Sequence, residues 1–246
     1  MQKRRQWAWW LTIGLCGTLL LATGCESDDS HETPAQIQEE AQNTPPVTNP
    51  GGNGPSESTT GTPSTSPPSA ATVRKYFPGG LHPNTEGSRI IAKTFAGAIT
   101  PVSDAGGNRP NVIVCLGDSI TDSGYPTYLA GMTGMTAIEE GIRGERSAGG
   151  VSRVGGVLSK YKPAYLCILY GANDVRKGLP ASTVTGNLEK MVNAARANGT
   201  IPILATLTPM GGTYSEFIPE VQKTSAAIRD LAARLGVRLA DLERAF

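Results

Sequence analysis

The 246-residue chain lacks the excess of positive charge that marks many nucleic-acid-binding proteins. It carries 22 Lys and Arg residues against 21 Asp and Glu residues, a net charge of +1, and gives no sign of a basic stripe. This balance argues against a nucleic-acid partner, because such proteins bind phosphates with clustered basic residues. No spacing of His, Cys and carboxylate residues is typical of a metal site, so neither a metal nor another cofactor is expected.

Tryptophan is absent after position 10, and cysteine occurs only four times. Cys16 lies in the leader described below, and Cys25 directly follows that leader. Cys115 and Cys167 each lie in an apolar run typical of a strand, which favours two buried thiols. An exported protein can also oxidise neighbouring thiols, so a disulfide between adjacent strands is the alternative.

Residues 1–24 have the pattern of a secretory signal peptide, with a basic start followed by an apolar run. Small residues precede Cys25 as they do in the lipobox of bacterial lipoproteins. This predicts that Cys25 carries lipid and anchors the protein to a membrane of the cell envelope, facing outside the cytoplasm. The apolar run is slightly shorter than the ~20 residues of a membrane span, and an uncleaved anchor helix is the alternative.

Residues 25–70 consist mostly of Pro, Gly, Ser, Thr, Asn and Gln and contain almost no large apolar side chains. Such a segment buries too little surface to offset the entropy of ordering it. We therefore predict a disordered tether over residues 25–70 and a folded domain over residues 71–246.

The domain alternates short apolar runs with amphipathic segments. The runs at residues 112–116, 165–169, 201–207 and 237–242 predict buried parallel strands, and residues 136–138 predict a fifth, weaker strand. Between them, apolar residues recur at helical spacing, as in residues 218–235 before Gly236. Strands that alternate with helices predict an α/β sandwich of three layers around a mainly parallel sheet.

Four short segments carry a resemblance to a known family. GDSIT (residues 117–121), RGERS (143–147) and GAND (171–174) resemble the first three sequence blocks of the SGNH/GDSL hydrolases. GLHPNTEG (80–87) resembles the block that normally closes that domain and carries its catalytic histidine. The resemblance covers about residues 71–246 and implies the flavodoxin-like SGNH hydrolase fold. Because the histidine block comes first here, we expect a circularly permuted member.

A permutation of this kind is physically plausible. Domain termini often lie close together, and residues 101–110 are long enough to join the former last helix to the first strand. Asn84 can cap the helix that follows the histidine block, Glu86 suits its positive end, and Ile91, Phe95 and Ile99 share a face.

Ser119 and His82 are the predicted catalytic pair. Ser119 follows a strand, so its hydroxyl should lie at the carboxyl edge of the sheet, where ligands bind in open α/β folds. A serine nucleophile needs a base within hydrogen-bond reach, and His82 is the one histidine of the domain. The alternatives are a helix-capping role for Ser119 and a surface loop position for His82.

The resemblance also implies an oxyanion hole. Its donors would be the backbone N–H of Ser119, the backbone N–H of Gly144 and the side-chain amide of Asn173. Both Gly144 and Asn173 could instead be ordinary turn residues.

One position departs from the family pattern. The aspartate that normally stands three residues before the histidine is replaced by Gly79. Asp241 is the first candidate to replace this aspartate, and Glu243 is the second. The alternative is that a backbone carbonyl or a water molecule orients His82. Asp118 and Asp122 are expected to brace the turn around the serine.

The pattern predicts a surface-anchored serine esterase that needs no cofactor. Its substrate would be an acyl ester, with acetylated polysaccharide favoured by the expected location. The competing hypothesis is a non-catalytic lipoprotein that binds a glycan or a protein partner and kept the fold after losing the acid.

Overall fold

The computed structural model describes residues 68–246. The predicted signal peptide, Cys25 and almost all of the predicted tether lie outside the described residues. The first helix, α1 (Ala70–Tyr76), begins at the last position assigned to the tether, because the Ser69 side chain accepts a hydrogen bond from Thr72 N at 3.1 Å and caps it. None of the helices within residues 68–246 is long and apolar enough to cross a membrane.

Five parallel strands form the central sheet of this domain. They are β1 (Arg109–Gly117), β2 (Thr136–Gly141), β3 (Pro163–Leu169), β4 (Ile201–Ala205) and β5 (Arg238–Ala240). Their order across the sheet is β2-β1-β3-β4-β5. Strand β3 is buried along its whole length, as expected for a strand covered by helices on both faces.

Helices cover both faces of the sheet and give the predicted three-layer α/β architecture. On one face α2 (Thr85–Ala98) packs against α3 (Tyr125–Thr133). On the other face α4 (Ser147–Tyr161), α6 (Ala181–Ala197) and α7 (Ile218–Leu235) pack side by side. Two short helices, α5 (Ala172–Arg176) and α8 (Leu242–Ala245), and a 3-10 helix at Gly212–Phe217 follow strands β3, β5 and β4 respectively.

All five strands differ from the predicted bounds. Strands β1 and β3 begin earlier, at Arg109 and Pro163, and the other three differ at their ends. Strand β4 ends at Ala205 rather than residue 207, because Leu207 N donates to the Ser225 side chain at 3.3 Å instead of continuing the ladder. Strand β5 ends at Ala240, because the next residue, Asp241, is the N-cap of α8. Strand β2 extends to Gly141, beyond the predicted end, because an edge strand needs fewer apolar residues.

The start of α2 follows the prediction from sequence. Asn84 Oδ1 accepts a hydrogen bond from Gly87 N at 2.9 Å and caps the helix. Ile91 and Phe95 are fully buried, and the Phe95 ring stacks on Tyr125 of α3 with centroids 5.3 Å apart. Ile99 falls one residue beyond the end of the helix, so it does not extend the helical face.

The loop before α2 is fixed to the carboxyl end of the sheet. Gly211 N, in the segment after β4, donates to Gly80 O at 2.9 Å. Gly80 has φ +80°, and a Cβ atom there would lie 2.1 Å from Gly211 O. Glycine is therefore required at position 80, both for its left-handed backbone and for this close approach.

Cys115 on β1 and Cys167 on β3 are register partners in adjacent strands. Both side chains are buried and both thiols are free. Burial raises the pKa of the Cys167 thiol well above its usual value. The structure therefore has the two buried thiols predicted from the sequence, and the disulfide that was the alternative is not formed.

Candidate active site

Ser119 lies in a tight turn directly after β1. Gly117 ends the strand, and a Cβ atom there would lie 2.1 Å from Thr121 Oγ1 and 2.7 Å from Leu169 O. The turn can therefore fold against β3 only with glycine at position 117. Asp118 Oδ1 accepts from Ile120 N at 2.9 Å and holds the turn, which confirms the bracing role predicted for this aspartate.

His82 Nε2 lies 3.0 Å from Ser119 Oγ. This is hydrogen-bond distance, as a general base requires. Burial lowers the pKa of His82 below its usual value, and the nearby guanidinium groups of Arg143 and Arg176 lower it further. The imidazole therefore remains neutral, and able to accept a proton, to a lower pH than an ordinary histidine.

The structure brings Gly144 and Asn173 to the same cleft as His82 and Ser119. Gly144 has φ +75°, which favours glycine. Asn173 is 7% exposed, and its amide nitrogen donates to Glu145 O at 3.0 Å and, more weakly, to Asp118 Oδ2 at 3.3 Å.

The cleft around these residues has a volume of about 330 Å³. It is lined by Leu81, His82, Ser119, Ser123, Arg143, Gly144, Asn173, Arg176 and Tyr214. Sequence reasoning missed Arg143, Arg176 and Tyr214. Arg143 directly precedes Gly144, and Arg176 follows Asn173 by three residues, so both positions offered a usable signal. Tyr214 comes from the 3-10 helix and belongs to none of the four segments.

A profile of the GDSL-like Lipase/Acylhydrolase family matches residues 115–246, more than half of the chain. The chain belongs to this family. The match includes Ser119, Gly144 and Asn173, and it begins after His82.

Two curated relatives are similar over shorter segments. Esterase TesA of Pseudomonas aeruginosa is 37% identical over 62 residues, which are 25% of this chain and 31% of that protein. An arylesterase of Vibrio mimicus is 32% identical over 65 residues, which are 26% of this chain and 32% of that protein. The matched segments span about a third of the length of these relatives.

Among solved structures, a G-D-S-L family protein from Desulfitobacterium hafniense DCB-2 is 24% identical, with a TM-score of 0.49. The similarity covers 53% of this chain and 77% of that chain.

Within this GDSL-family domain, a buried contact joins the GAND and RGERS segments. Asp174 is fully buried and accepts hydrogen bonds from Ser147 N at 3.0 Å and Ser147 Oγ at 2.7 Å. Asn187 of α6 donates to the same Ser147 hydroxyl at 2.9 Å. The aspartate of GAND therefore fixes the start of α4, while the preceding Asn173 faces the cleft.

Arg153 of α4 forms a second set of contacts at the RGERS segment. Its guanidinium group binds the carboxylates of Glu140 at 3.0 Å and Glu145 at 2.9 Å. It also donates to Gly117 O at 3.2 Å and to the Tyr170 hydroxyl at 2.8 Å. Because the Glu145 backbone carbonyl receives the Asn173 amide, this network links the end of β1 to the predicted oxyanion hole.

Asp118 is almost completely buried beneath the Asn173 amide. Burial, together with the nearby carboxylates of Asp174 and Glu145, raises the pKa of Asp118 to about 7. Protonation of Asp118 weakens its contact with Asn173, because a neutral carboxyl group is a weaker acceptor than a carboxylate.

The structure does not bring Asp241 to His82. Asp241 accepts two hydrogen bonds from Arg229, at 2.8 and 2.7 Å, and one from Thr206 at 3.1 Å. Glu243 is bound by the same arginine at 2.6 Å. Asp241 follows β5, which two strands separate from β1, and it is not among the charged groups that shift the pKa of His82.

Within residues 68–246, His82 has no carboxylate hydrogen-bond partner. Gly79, at the position of the expected aspartate, is not in the left-handed region, and no atom lies within 4 Å of a Cβ atom built there. The empty position is therefore compatible with an aspartate side chain.

We expect the imidazole of His82 to titrate below its usual value of about 6.5. Arg143→Gln should raise this pKa, because it removes one of the positive charges that oppose protonation. NMR titration of the full chain carrying His31→Asn would measure it, since His82 is then the one remaining histidine.

Lys177→Gln is the matched control, because Lys177 is exposed and does not line the cleft. An unchanged His82 titration in Arg143→Gln, or the same shift in Lys177→Gln, would contradict the assigned cause.

Proposed function

We propose that this chain is a serine esterase in which Ser119 attacks an acyl ester and His82 acts as the general base. The observation that carries the proposal is the 3.0 Å contact between Ser119 Oγ and His82 Nε2 in a cleft shared with Gly144 and Asn173. Membership of a lipase and acylhydrolase family supports the same reaction class.

The proton transfers follow from this geometry. Neutral His82 takes the hydroxyl proton as Ser119 Oγ bonds to the ester carbon, and returns it to the leaving alcohol. Water, deprotonated by His82, then bonds to the acyl carbon; the bond to Ser119 Oγ breaks, the carboxylic acid leaves, and His82 returns the proton to Ser119 Oγ. For Nε2 to accept the serine proton, the neutral ring must carry its hydrogen on Nδ1.

The negative oxygen of the tetrahedral intermediate would be stabilised by Ser119 N–H, Gly144 N–H and the Asn173 amide. The Asn173 amide already donates to Glu145 O and Asp118 Oδ2. To bind the oxyanion, it would give up its weaker hydrogen bond, the 3.3 Å contact with Asp118. Protonation of Asp118 weakens that contact and so favours the exchange.

We further propose that the domain is a circularly permuted SGNH hydrolase. In support, α2 carries the histidine segment at its start and precedes β1, yet packs against α3 and contacts β5 and α8. Residues 99–108 then connect α2 to β1 without a helix or strand of their own.

The location and natural substrate are proposals from the sequence. Lipid on Cys25 and the polar tether over residues 25–70 would place the domain outside the cytoplasm, within reach of acylated envelope polysaccharide. O-deacetylation of such a glycan is the activity that this location favours.

Ser119→Ala should abolish both ester hydrolysis and covalent labelling by a fluorophosphonate, because it removes the hydroxyl that contacts His82 Nε2. The measurements are release of nitrophenolate from 4-nitrophenyl acetate and mass spectrometry of the labelled protein. Ser152→Ala is the matched control, since Ser152 is exposed on α4 away from the cleft. Wild-type protein that neither hydrolyses esters nor takes up the label would favour the non-catalytic binding hypothesis.

Gly79→Asp should raise kcat/KM at least about tenfold, because a carboxylate three residues before His82 can orient the ring and stabilise the imidazolium. Tenfold corresponds to ~1.4 kcal/mol of transition-state stabilisation. Gly79→Asn is the matched control, with the same shape and no charge. Equal rates for wild type and both variants, with unchanged melting temperatures, would mean that a carbonyl or water already orients His82.

Cys25→Ser should release the protein from membranes or block its maturation, because serine cannot receive the thioether-linked lipid. Fractionation in Triton X-114 measures this, with Cys16→Ser as the matched control inside the predicted leader. Detergent partitioning of Cys25→Ser identical to the parent would show that lipidation at this position does not anchor the chain.

A further inference from the structure

The side chains that line the cleft at Ser119 carry an excess of positive charge. Two guanidinium groups, from Arg143 and Arg176, line it, and none of its lining side chains is a carboxylate. An enzyme for neutral short-chain esters needs no such charge, since neither the acyl group nor the alcohol carries a complementary one.

Arg176 contributes most of this excess positive charge. Its Nη1 donates to the Asn173 amide oxygen at 3.1 Å, and its guanidinium group lies 5.1 Å from the centre of the Tyr214 ring. Both partners are neutral, and no carboxylate of residues 68–246 forms an ion pair with Arg176. Arg143, by contrast, pairs with Asp122, which offsets part of its charge.

The position of Arg176 suits ligand binding. The residue is exposed, so its remaining N–H donors can be reached from the cleft. The contacts with Asn173 and Tyr214 hold the guanidinium group in place, which reduces the entropy lost when a ligand binds. The pKa of His82 is lowered first by burial and then by the charges of Arg143 and Arg176, so both guanidinium groups act on the residue that contacts Ser119.

We propose that the cleft prefers esters that carry a carboxylate near the scissile bond, and that Arg176 binds this carboxylate. The inference rests on the proposed esterase function and adds the charge of the substrate to it. A planar guanidinium fork and a carboxylate form paired, charge-assisted hydrogen bonds, which a neutral ester cannot supply. The carboxylate can belong to the alcohol, as in an acetylated acidic sugar, or to the acyl group, as in a dicarboxylic half-ester.

Two matched substrate pairs separate these sources. The alcohol-side pair is 4-acetoxybenzoate and the neutral 4-acetoxybenzamide. The acyl-side pair is mono-4-nitrophenyl adipate and its neutral methyl ester. For each pair, the ratio of kcat/KM for the anionic substrate to that for the neutral one is measured in the full-length protein.

The ratio is then compared between wild type, Arg176→Gln and Lys177→Gln. In at least one pair, Arg176→Gln should reduce the ratio by about fivefold, as for loss of one solvent-exposed ion pair. Lys177→Gln removes the same charge one residue away, outside the cleft, and should leave the ratio unchanged. Raising the salt concentration should reduce the wild-type ratio toward that of Arg176→Gln, because salt screens the interaction.

Comparing the ratios also distinguishes carboxylate binding by Arg176 from an effect of Arg176 on the orientation of Asn173. If Arg176→Gln slows the anionic and neutral substrates equally, Arg176 acts through Asn173 and the proposal is overturned. Efficient Ser119-dependent hydrolysis with no charge preference in either pair would overturn it too, while leaving the esterase function intact. Absence of hydrolysis of all four esters would instead contradict the proposed function, and the inference with it.

Discussion

The attachment of the Gly80 loop to the end of the sheet determines where His82 lies. His82 stands in a loop before α2, so the sheet itself does not position it. The backbone bond from Gly211 N to Gly80 O fixes this loop beside the segment after β4. A larger residue at position 80 would collide with Gly211 O, so the 3.0 Å contact between His82 and Ser119 depends on this approach of two backbones.

The predicted oxyanion side of the cleft is positioned differently, by buried and partly buried polar side chains. Asp174 binds the start of α4, and Arg153 binds Glu145, whose backbone carbonyl holds the Asn173 amide. Buried charges of this kind contribute little net stability, because their desolvation offsets much of their attraction. Their effect here is geometric, since they join three loops that lie far apart in the sequence.

Sequence reasoning predicted the parts of this structure that depend on local patterns. The central strands are continuous apolar runs, and the cap at Asn84 follows from the residue type and its place before an amphipathic segment. It could not predict that Asp241 would pair with Arg229, because the contacts of a side chain at a strand end depend on the order of strands, a long-range property that periodicity does not encode. It also missed Tyr214, which belongs to none of the four segments and meets Arg176 only through the contact of the 3-10 helix with α5.

The arginines and the missing aspartate affect His82 in the same direction. As Ser119 attacks, His82 becomes an imidazolium, which Arg143 and Arg176 disfavour and which no neighbouring carboxylate among residues 68–246 stabilises by a hydrogen bond. The free enzyme therefore holds a base that stays neutral to a lower pH than an ordinary histidine but is costly to protonate in the transition state. A substrate carboxylate bound to Arg176 would neutralise part of this positive charge when the ester is in place. The substrate would then supply part of the electrostatic support that an aspartate at position 79 gives in the family pattern, and Gly79→Asp should accordingly benefit neutral esters more than anionic ones.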